Sequence, residues 1–495
     1  MNEKYGSGFS EHIAEAFLNF ACFFEMFLPR FPECIFLGFC FTGVLCAENK
    51  GDDRSLWKVG VAQTKITPEG AYWMGGYASR TKPSEGTDLD LRAKALALQD
   101  ASGARVVFVT LDLLVVTPDM SRAVLEGAKD RYGLTPANVL LNCSHTHCGP
   151  ELRLYRQSMY DIPEPLNIKM SDYVKWLNKK LIDLIGESLK QLQPVSLFAS
   201  SDKASFAINR RENRGEELVK RAEEATLKGP VDHQVPVLRV VDTKDKTMAI
   251  LFGYACHNTI MSFFKTSGDY AGYAQKFVEQ KNQGAVAMFV MGAGGDQNPY
   301  PRRKQEHLAL HGRTLAEAVD RALKGKKTPV SSSLRTARQD ATLKFQPAPD
   351  RASLEKQLTE NNKYKRWKAR LLLGRINAGI QPSSSYDLPV QAVRLGDEIL
   401  LLAIGGEVVV DYSLRFKREF SGQKGGKPML WFAGYSNDVS FYLPSLRVLK
   451  EGGYEGGGHM MYTQFTGPFQ EDVEERTFAS IRKVVKQVST MPEDK

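Results

Sequence analysis

Five polar segments of the chain each follow directly after a run of apolar residues. Ligand sites of open α/β sheets collect beyond the carboxyl ends of strands, so five such segments predict one shared crevice. Imidazole and carboxylate groups together are the donors that a tetrahedral zinc site takes. The sequence therefore predicts a metal centre assembled from distant parts of the chain. The five segments are Asp112, the triplet His145-Thr146-His147, His257, the glycine-rich loop 292–296, and Glu407.

Each of these segments also has an ordinary structural interpretation. An isolated His-x-His is often a loop pair, and His257 alone is more typical of a hydrogen-bonded core histidine. Glu407 could simply stabilise the start of a helix over residues 408–416. Loop 292–296 has neither the Lys-Ser/Thr ending of a phosphate-binding loop nor the spacing of a dinucleotide motif. We interpret its glycines as letting backbone amides approach a substrate or an oxyanion.

The remaining cysteines and histidines are given structural roles. Cys143, Cys148 and Cys256 are the only cysteines after residue 47. An odd, sparse set is not a disulfide framework, although one bridge stays open, and packing against the neighbouring histidines is expected. His307 and His311 lie one helical turn apart without a Glu-x-x-His frame, so we interpret them as surface residues.

The body of the chain has the pattern of an α/β protein. It contains 42% hydrophobic and 25% charged residues, which is ordinary globular composition. The alternation of apolar β-branched runs with amphipathic patterns predicts a mixed, layered α/β fold with the active site at strand carboxyl ends. Strands are predicted at 106–111, 139–141, 248–252, 286–290 and 399–404, and helices at 120–131, 172–192, 305–323 and 473–488.

The predicted domain organisation has two parts. Residues 1–47 are predicted to be a leader, and residues 48–495 one catalytic domain. A charged helical run at 353–376 predicts a helical insertion around 347–385 in this domain, with a linker between two domains as the alternative.

Residues 1–47 have the features of a secretory signal peptide. Their charged residues and prolines leave no apolar run long enough to span a bilayer. Met26, Arg30, an apolar stretch at 35–46 and a small-residue cleavage site ending at Ala47 match the arrangement of such a peptide. We therefore expect translation to start at Met26 and the protein to be secreted or periplasmic, with an uncleaved anchor as the alternative.

In order and spacing over residues 59–488, the chain resembles the N-terminal catalytic domain of neutral/alkaline ceramidases. The most specific of the shared motifs is His-Thr-His-x-Gly-Pro, whereas Gly-Gly-Tyr and Asn-Arg are weak alone. The motifs are Met74-Gly75-Gly76-Tyr77, the segment 142–150, Asn209-Arg210, Ala255-Cys256-His257, Gly295-Asp296, Gly406-Glu407, and Tyr442 followed by Tyr454-Glu455.

The resemblance implies a zinc-dependent hydrolase that cleaves the amide bond of a ceramide-like N-acyl lipid with a metal-activated water. A proton-transfer or positioning role is then expected for His147, and oxyanion contacts for Arg210, Tyr454 and Asn298. The implied zinc ligands are His145, His257, Glu407 and Tyr442, with Tyr435 as a neighbouring alternative to Tyr442. The implied substrate pocket is lined by His147, Arg210, Gly76 and Tyr454.

Two departures from the family pattern leave the substrate open. The family has serine in a Gly-Asp-x-Ser-Pro loop where this chain has Asn298, so a seryl nucleophile is unavailable at that position. The chain also ends shortly after its final helix, so we expect no C-terminal immunoglobulin-like domain. The alternatives are a hydrolase of another N-acyl or ester substrate, or a non-catalytic binding protein of the same fold.

The positive charge bears on possible partners. The net charge is +9, but its clusters at 210–211, 302–304 and 324–327 are short and scattered. Aromatic residues do not interleave with them as single-strand binding requires, so we expect no nucleic acid partner and interpret the clusters as solvated surface. Attraction of a basic surface to an anionic membrane stays open, and it fits a lipid substrate.

Overall fold

The computed structural model describes residues 57–422 and 428–490. The predicted leader at residues 1–47, with its proposed start at Met26, lies outside the described residues. None of the helices in the described part is long and apolar enough to cross a membrane.

The described residues form seventeen strands, and these include all five that the sequence predicted. They are β1 (Trp57–Lys65), β2 (Arg92–Gln99), β3 (Arg105–Leu111), β4 (Val139–Cys143), β5 (Gln193–Lys203), β6 (Ala207–Asn209), β7 (Gln234–Asp242), β8 (Thr247–Tyr254), β9 (Val286–Met291), β10 (Gln297–Pro299), β11 (Thr328–Pro329), β12 (Leu334–Lys344), β13 (Ser385–Leu395), β14 (Ile399–Ile404), β15 (Glu407–Val408), β16 (Met429–Ala433) and β17 (Tyr442–Leu443).

Eleven α-helices accompany them in the same described ranges. The four predicted helices correspond to α1, α3, α6 and α11, and α3 begins earlier than predicted because a proline in its first turn is compatible with a helix start. The helices are α1 (Pro118–Tyr132), α2 (Gln157–Tyr160), α3 (Glu164–Lys190), α4 (Gly215–Glu223), α5 (Asp269–Lys281), α6 (Glu306–Lys324), α7 (Arg351–Gln357), α8 (Lys363–Asn377), α9 (Val410–Phe420), α10 (Leu446–Glu451) and α11 (Val473–Ser489).

The larger sheet brings its two edge strands together at their carboxyl ends. Its order is β4-β3-β2-β1-β5-β7-β8-β9, with β11 paired to β5. The outermost pairs, β3 with β4 and β8 with β9, are parallel. Asn142 in β4 accepts a hydrogen bond from the Met291 amide at 2.8 Å and donates to the Met291 carbonyl at 3.3 Å. The segments that follow β4, β8 and β9 therefore lie beside one another.

A smaller sheet, β12-β13-β14-β16, packs face to face on the larger one. Leu251 and Phe108 of the larger sheet meet Leu401 and Trp431 of the smaller sheet in this interface. The opposite face of the larger sheet is covered by α1, α3, α5 and α6, and that of the smaller sheet by α9 and α11. Both sheets are thus buried on both faces. The order of layers is helices, sheet, sheet, helices, which confirms the predicted mixed, layered α/β class.

The segment predicted as a helical insertion, residues 347–385, contains α7 and α8. Asn362 starts α8 by accepting hydrogen bonds from the amides of Tyr364 and Lys365. On its inner side, Lys368 donates its Nζ hydrogens to the carbonyls of Met460 and Phe465. This helix therefore holds the loop that leads into α11.

The interpretation of His311 as a surface residue is wrong. Its exposed fraction is 2%, and its Nε2 donates to the carbonyl of Pro301 at 2.6 Å. It lies on the same buried stripe of α6 as Leu308 and Leu315, and its ring contacts Phe206 at a centroid distance of 4.6 Å. Helical spacing alone did not reveal which side of α6 faces the sheet.

The three described cysteines are buried and unpaired, as the sequence predicted. Burial raises the pKa of the Cys143 thiol to about 12, so this side chain is a neutral thiol near pH 7. It packs behind the histidine segment and is not a thiolate ligand.

The interface between the two sheets predicts a large cost for truncating its side chains. We expect Leu401→Ala to lower the free energy of unfolding by about 2–5 kcal/mol, because it leaves a cavity between the sheets. Urea unfolding at an unchanged m-value measures this loss. The matched control is Leu310→Ala on α6, where the side chain is 48% exposed and about 0.5 kcal/mol or less is expected. Equal losses in the two variants would contradict the described packing.

Candidate metal centre

His145 and His257 lie just beyond β4 and β8 and face each other. Both rings are almost fully buried, with centroids 4.9 Å apart and planes at 87°. His145 has a φ of 61°, a left-handed conformation that residues other than glycine rarely adopt. Such strain is characteristic of functional positions that the surrounding fold holds in place.

Backbone carbonyls fix the proton on the same nitrogen of both rings. Nδ1 of His145 donates to the carbonyl of Leu114, and Nδ1 of His257 donates to the carbonyl of Gly294, each at 2.6 Å. A carbonyl only accepts, so each neutral ring presents an Nε2 lone pair on its other side. Burial lowers the pKa of His257 to about 4, which keeps this ring neutral near pH 7.

Glu407, which follows β14 of the smaller sheet, completes this cluster. Its Oε2 lies 3.1 Å from Nε2 of His145 and 3.2 Å from Nε2 of His257. An ionised carboxylate only accepts hydrogen bonds, and no donor within the described ranges reaches Oε2. Three electron-rich atoms that converge in a buried space are stabilised by a cation placed between them. The donor set therefore fits a divalent metal ion.

Tyr442 reaches the same cluster through a short strand pair. Glu407 and Tyr442 are direct partners in the parallel pairing of β15 with β17. The Tyr442 hydroxyl lies 3.1 Å from Nε2 of His257 and accepts a hydrogen bond from Nη2 of Arg210 at 3.2 Å. Tyr435, the sequence alternative, is also buried, with its ring 4.6 Å from that of His145 and its hydroxyl without a hydrogen-bond partner in the described part of the chain.

His147 lies between this cluster and a cavity. Its Nε2 is 3.1 Å from Nε2 of His145, and its Nδ1 has no partner among the residues that the structure describes. Burial holds its pKa well below the usual value, so the ring is unprotonated and can accept a proton. Gly76 has a φ of 91°, and a Cβ there would lie 2.6 Å from Nδ1 of His147. Only glycine leaves room for this ring.

The remaining predicted substrate residues line the cavity, whose volume is about 840 Å³. Asn298 is opposite Ile208 in the β6–β10 pair, which brings it near Arg210. Nη1 of Arg210 lies 3.5 Å from Oδ1 of Asn298, and Nε donates to Glu455 at 2.7 Å. Tyr454 stands at the opening, 46% exposed, with its ring 5.3 Å from that of Tyr442. Six predicted site residues thus line the cavity, and the three remaining ones, His145, His257 and Glu407, form the cluster next to it. The six are Gly76, His147, Arg210, Asn298, Tyr442 and Tyr454.

The expectation that loop 292–296 offers its amides to a substrate is wrong. Its amides are used within the protein, since Gly292 donates to Tyr254 and Gly295 donates to Val408. A Cβ on Gly295 would lie 2.6 Å from the carbonyl oxygen of Glu407, so only glycine permits this contact. The carbonyl of Gly294 also accepts the hydrogen bond from Nδ1 of His257. The loop therefore orients the candidate metal ligands His257 and Glu407.

The expectation that all five polar segments share one crevice is wrong for the two aspartates. The Asp112 carboxylate accepts hydrogen bonds from the Arg92 amide and the Gln275 side chain, each at 3.0 Å. The Asp296 carboxylate accepts the Val410 amide at 2.8 Å and so fixes the start of α9. Both acids are buried behind the site, where they satisfy donors of neighbouring elements.

His459 is a buried site residue that sequence reasoning missed. Its Nε2 accepts the amide of Tyr442 at 3.1 Å, and its Nδ1 donates to the carbonyl of Tyr454 at 3.0 Å. It therefore holds the two predicted site tyrosines in a fixed relation. No motif or spacing marks it, because the hydrogen bonds depend on a loop that folds back across the cluster.

Known proteins resemble this chain in sequence and in fold. The sequence model of the neutral/alkaline non-lysosomal ceramidase N-terminal domain matches residues 57–305. The chain belongs to this ceramidase family. Neutral ceramidase B of Dictyostelium discoideum is 28% identical over 272 residues, which are 51% of this chain and 37% of that protein. Neutral ceramidase 2 of Arabidopsis thaliana is 30% identical over 227 residues, 45% of this chain and 30% of that protein.

These matches span only about a third of the length of the curated ceramidases. A solved structure of neutral ceramidase from Pseudomonas aeruginosa superposes with a TM-score of 0.68 at 19% identity, covering 89% of this chain and 76% of the other. A ceramidase complexed with C2 gives the same TM-score at 20% identity. The likeness establishes that this chain has the fold of the ceramidase family.

The crowding of lone pairs predicts opposite effects of Glu407→Gln with and without metal. In metal-free protein the new amide can donate to one Nε2, so we expect a melting temperature at least as high as that of the unchanged protein. Added zinc should raise the melting temperature of the unchanged protein but not that of the variant. Thermal unfolding with chelator and with zinc measures both effects.

The control for this experiment is Glu355→Gln, an exposed carboxylate on α7. It should behave like the unchanged protein in both conditions. A zinc-induced rise in Glu407→Gln as large as in the control would rule out Glu407 as a ligand.

Proposed function

We propose that the protein is a zinc-dependent hydrolase that cleaves the amide bond of a ceramide-like N-acyl lipid. The observation that carries this proposal is the cluster of nitrogen and oxygen donors on His145, His257 and Glu407, which lies next to His147 and Tyr442 in the wall of the cavity. Membership of the ceramidase family supports amide hydrolysis. Because the chain matches about a third of its curated relatives, the substrate is part of the proposal.

The proposed ligands of the ion are His145, His257, Glu407 and Tyr442. Two imidazoles with oxygen donors suit zinc better than the all-oxygen coordination of calcium or magnesium. A bound zinc ion would polarise the amide carbonyl and lower the pKa of a water molecule to about 7.

The side chains around the cluster transfer the proton and stabilise the negative charge that develops during the reaction. His147 is neutral and its Nε2 faces the cluster, so this nitrogen can accept a proton from the attacking water and return it to the leaving amine. Arg210 donates to the oxygen on which negative charge develops, and Glu455 holds the guanidinium in place. Asn298 offers an amide instead of a hydroxyl, so water rather than this side chain acts as the nucleophile.

The alternative of a non-catalytic binding protein explains less of this site. Burying three electron-rich atoms together costs stability unless a cation binds, and a protein that only held a lipid would gain nothing from the arrangement. The secreted or periplasmic location and the contact with an anionic membrane stay proposals. Sequencing the N-terminus of the exported protein tests the location, since a chain beginning at Met1 would contradict it.

The proposed ligand role of His145 predicts the loss of both metal and activity in His145→Ala. We expect about one zinc per chain in the unchanged protein, because the cluster can hold a single ion, and much less in the variant. Elemental analysis of purified protein measures the metal, and fatty acid released from an N-acylsphingosine measures hydrolysis. Full zinc and full activity in His145→Ala would overturn the proposed centre.

Arg210→Met is expected to separate catalysis from metal binding. It should keep its zinc but lower kcat by about 10²–10³, since one oxyanion donor is removed. Steady-state kinetics and elemental analysis on the same preparation provide the check. The melting temperature of the variant controls for the loss of the ion pair with Glu455. An unchanged kcat would remove Arg210 from the proposed mechanism.

A further inference from the structure

Two arginines form a second polar wall of the cavity beside the metal cluster. The sequence favoured a solvated surface for residues 302–304, but Arg302 is half-buried and both Arg302 and Arg303 line the cavity. Nη1 of Arg302 donates to the Thr259 hydroxyl at 3.3 Å, and Nη1 of Arg303 donates to the Tyr77 hydroxyl at 3.3 Å. Arg302 is therefore held within the cavity wall, whereas Arg303 is exposed and contacts the wall through Tyr77.

Neither of these arginines forms a direct ion pair in the described residues, and Arg303 interacts only at longer range with the buried carboxylate of Asp269. Among residues 57–422 and 428–490, no Asp or Glu forms an ion pair with Arg302 or Arg303. By contrast, Arg210 and Arg211 both pair with Glu455 on the other side of the cavity. The pKa of Arg302 is lowered, first by burial and then by repulsion from Arg303 and Arg210. An anion placed here would relieve the desolvation and the repulsion together.

Short contacts connect this wall to the metal cluster. From Arg302 they pass through Thr259, whose hydroxyl lies 3.4 Å from Oδ1 of Asn298, to Arg210. From Arg303 they pass through Tyr77, whose ring centroid is 4.8 Å from that of His147. A molecule with its amide at the cluster can therefore place another polar group against the arginines.

The wall is anchored to the segment that also carries His257. The backbone amide of Arg303 donates to the carbonyl of Ile260 at 3.0 Å, next to Thr259. Arg303 has a φ of 82°, which residues other than glycine rarely adopt. The arginine pair is thus held at a fixed place relative to the presumed ligand, as a preformed binding wall requires.

We propose that Arg302 and Arg303 bind an oxyanion on the substrate, so that the preferred substrate is an anionic N-acyl compound rather than neutral ceramide. This inference rests on the proposed amide hydrolysis. Guanidinium groups bind carboxylates and phosphates through paired, charge-assisted hydrogen bonds. Acyl chains are apolar, so the oxyanion belongs to the amine portion, close to the scissile bond.

Matched substrates that differ only in charge test the inference. N-dodecanoylglycine carries a carboxylate, N-dodecanoylglycinamide is its neutral counterpart, and N-dodecanoyl-aminomethylphosphonate carries a phosphonate in the same place. For zinc-loaded protein we expect kcat/KM to be at least about tenfold higher for an anionic compound than for the neutral one. The carboxylate and phosphonate arms show which oxyanion is preferred.

The double variant Arg302→Gln/Arg303→Gln should bring this ratio close to one without loss of zinc. Its matched control is Lys326→Gln/Lys327→Gln, which removes the same charge at exposed positions after α6 and should keep the ratio. Calorimetric titration of metal-free protein with the glycine and glycinamide compounds gives a readout that does not depend on catalysis. There too the preference for the anion should disappear only in the arginine variant.

The outcomes separate this inference from the proposed function. Equal kcat/KM for charged and neutral compounds, or a preference that survives in the arginine variant, overturns the anion site. Failure of zinc-loaded protein to hydrolyse any N-acyl compound, N-acylsphingosine included, overturns the proposed function instead. In that case the binding preference of metal-free protein still decides whether the arginine pair holds an oxyanion.

Discussion

The close approach of three side-chain atoms, Nε2 of His145, Nε2 of His257 and Oε2 of Glu407, is the constraint on which the site depends. Two backbone carbonyls force it, because they take the only ring proton of each histidine on the far side. The fold therefore holds three electron-rich atoms where a cation would bind them together. Ligand geometry set by main-chain carbonyls does not depend on flexible side-chain partners, and this makes the cluster preorganised.

The two-sheet architecture supplies the ligands from separate layers. His145 follows the edge strand β4, and His257 follows β8, the neighbour of the opposite edge strand β9. Asn142 joins β4 to the end of β9, while Glu407 and Tyr442 come from connections of the smaller sheet. Packing between the sheets thus fixes the distance between imidazoles and carboxylate. Loop 292–296 contacts the cluster through its backbone, and the loop that carries His459 contributes that side chain, so both loops support the candidate ligands.

The cavity beside the cluster has an uneven distribution of charge. On one side Arg210 is balanced by Glu455, which leaves its guanidinium oriented toward Asn298 and Tyr442. On the other side the arginines at 302–303 have hydroxyl partners but no direct ion pair with a carboxylate of the described residues. A neutral lipid would form no ion pair with these arginines.

The sequence by itself determined the layered α/β class and the main strands and helices, because apolar periodicity records which side of each element is buried. Motif order also nominated His145, His257, Glu407 and Tyr442. Only the tertiary structure decided that Asp112 and Asp296 serve neighbouring backbone and amide donors, that His311 faces the sheet, and that Arg302 faces a cavity. The role of a polar side chain depends on hydrogen-bond partners that are distant in sequence. The local spacing of residues does not reveal which partners these are.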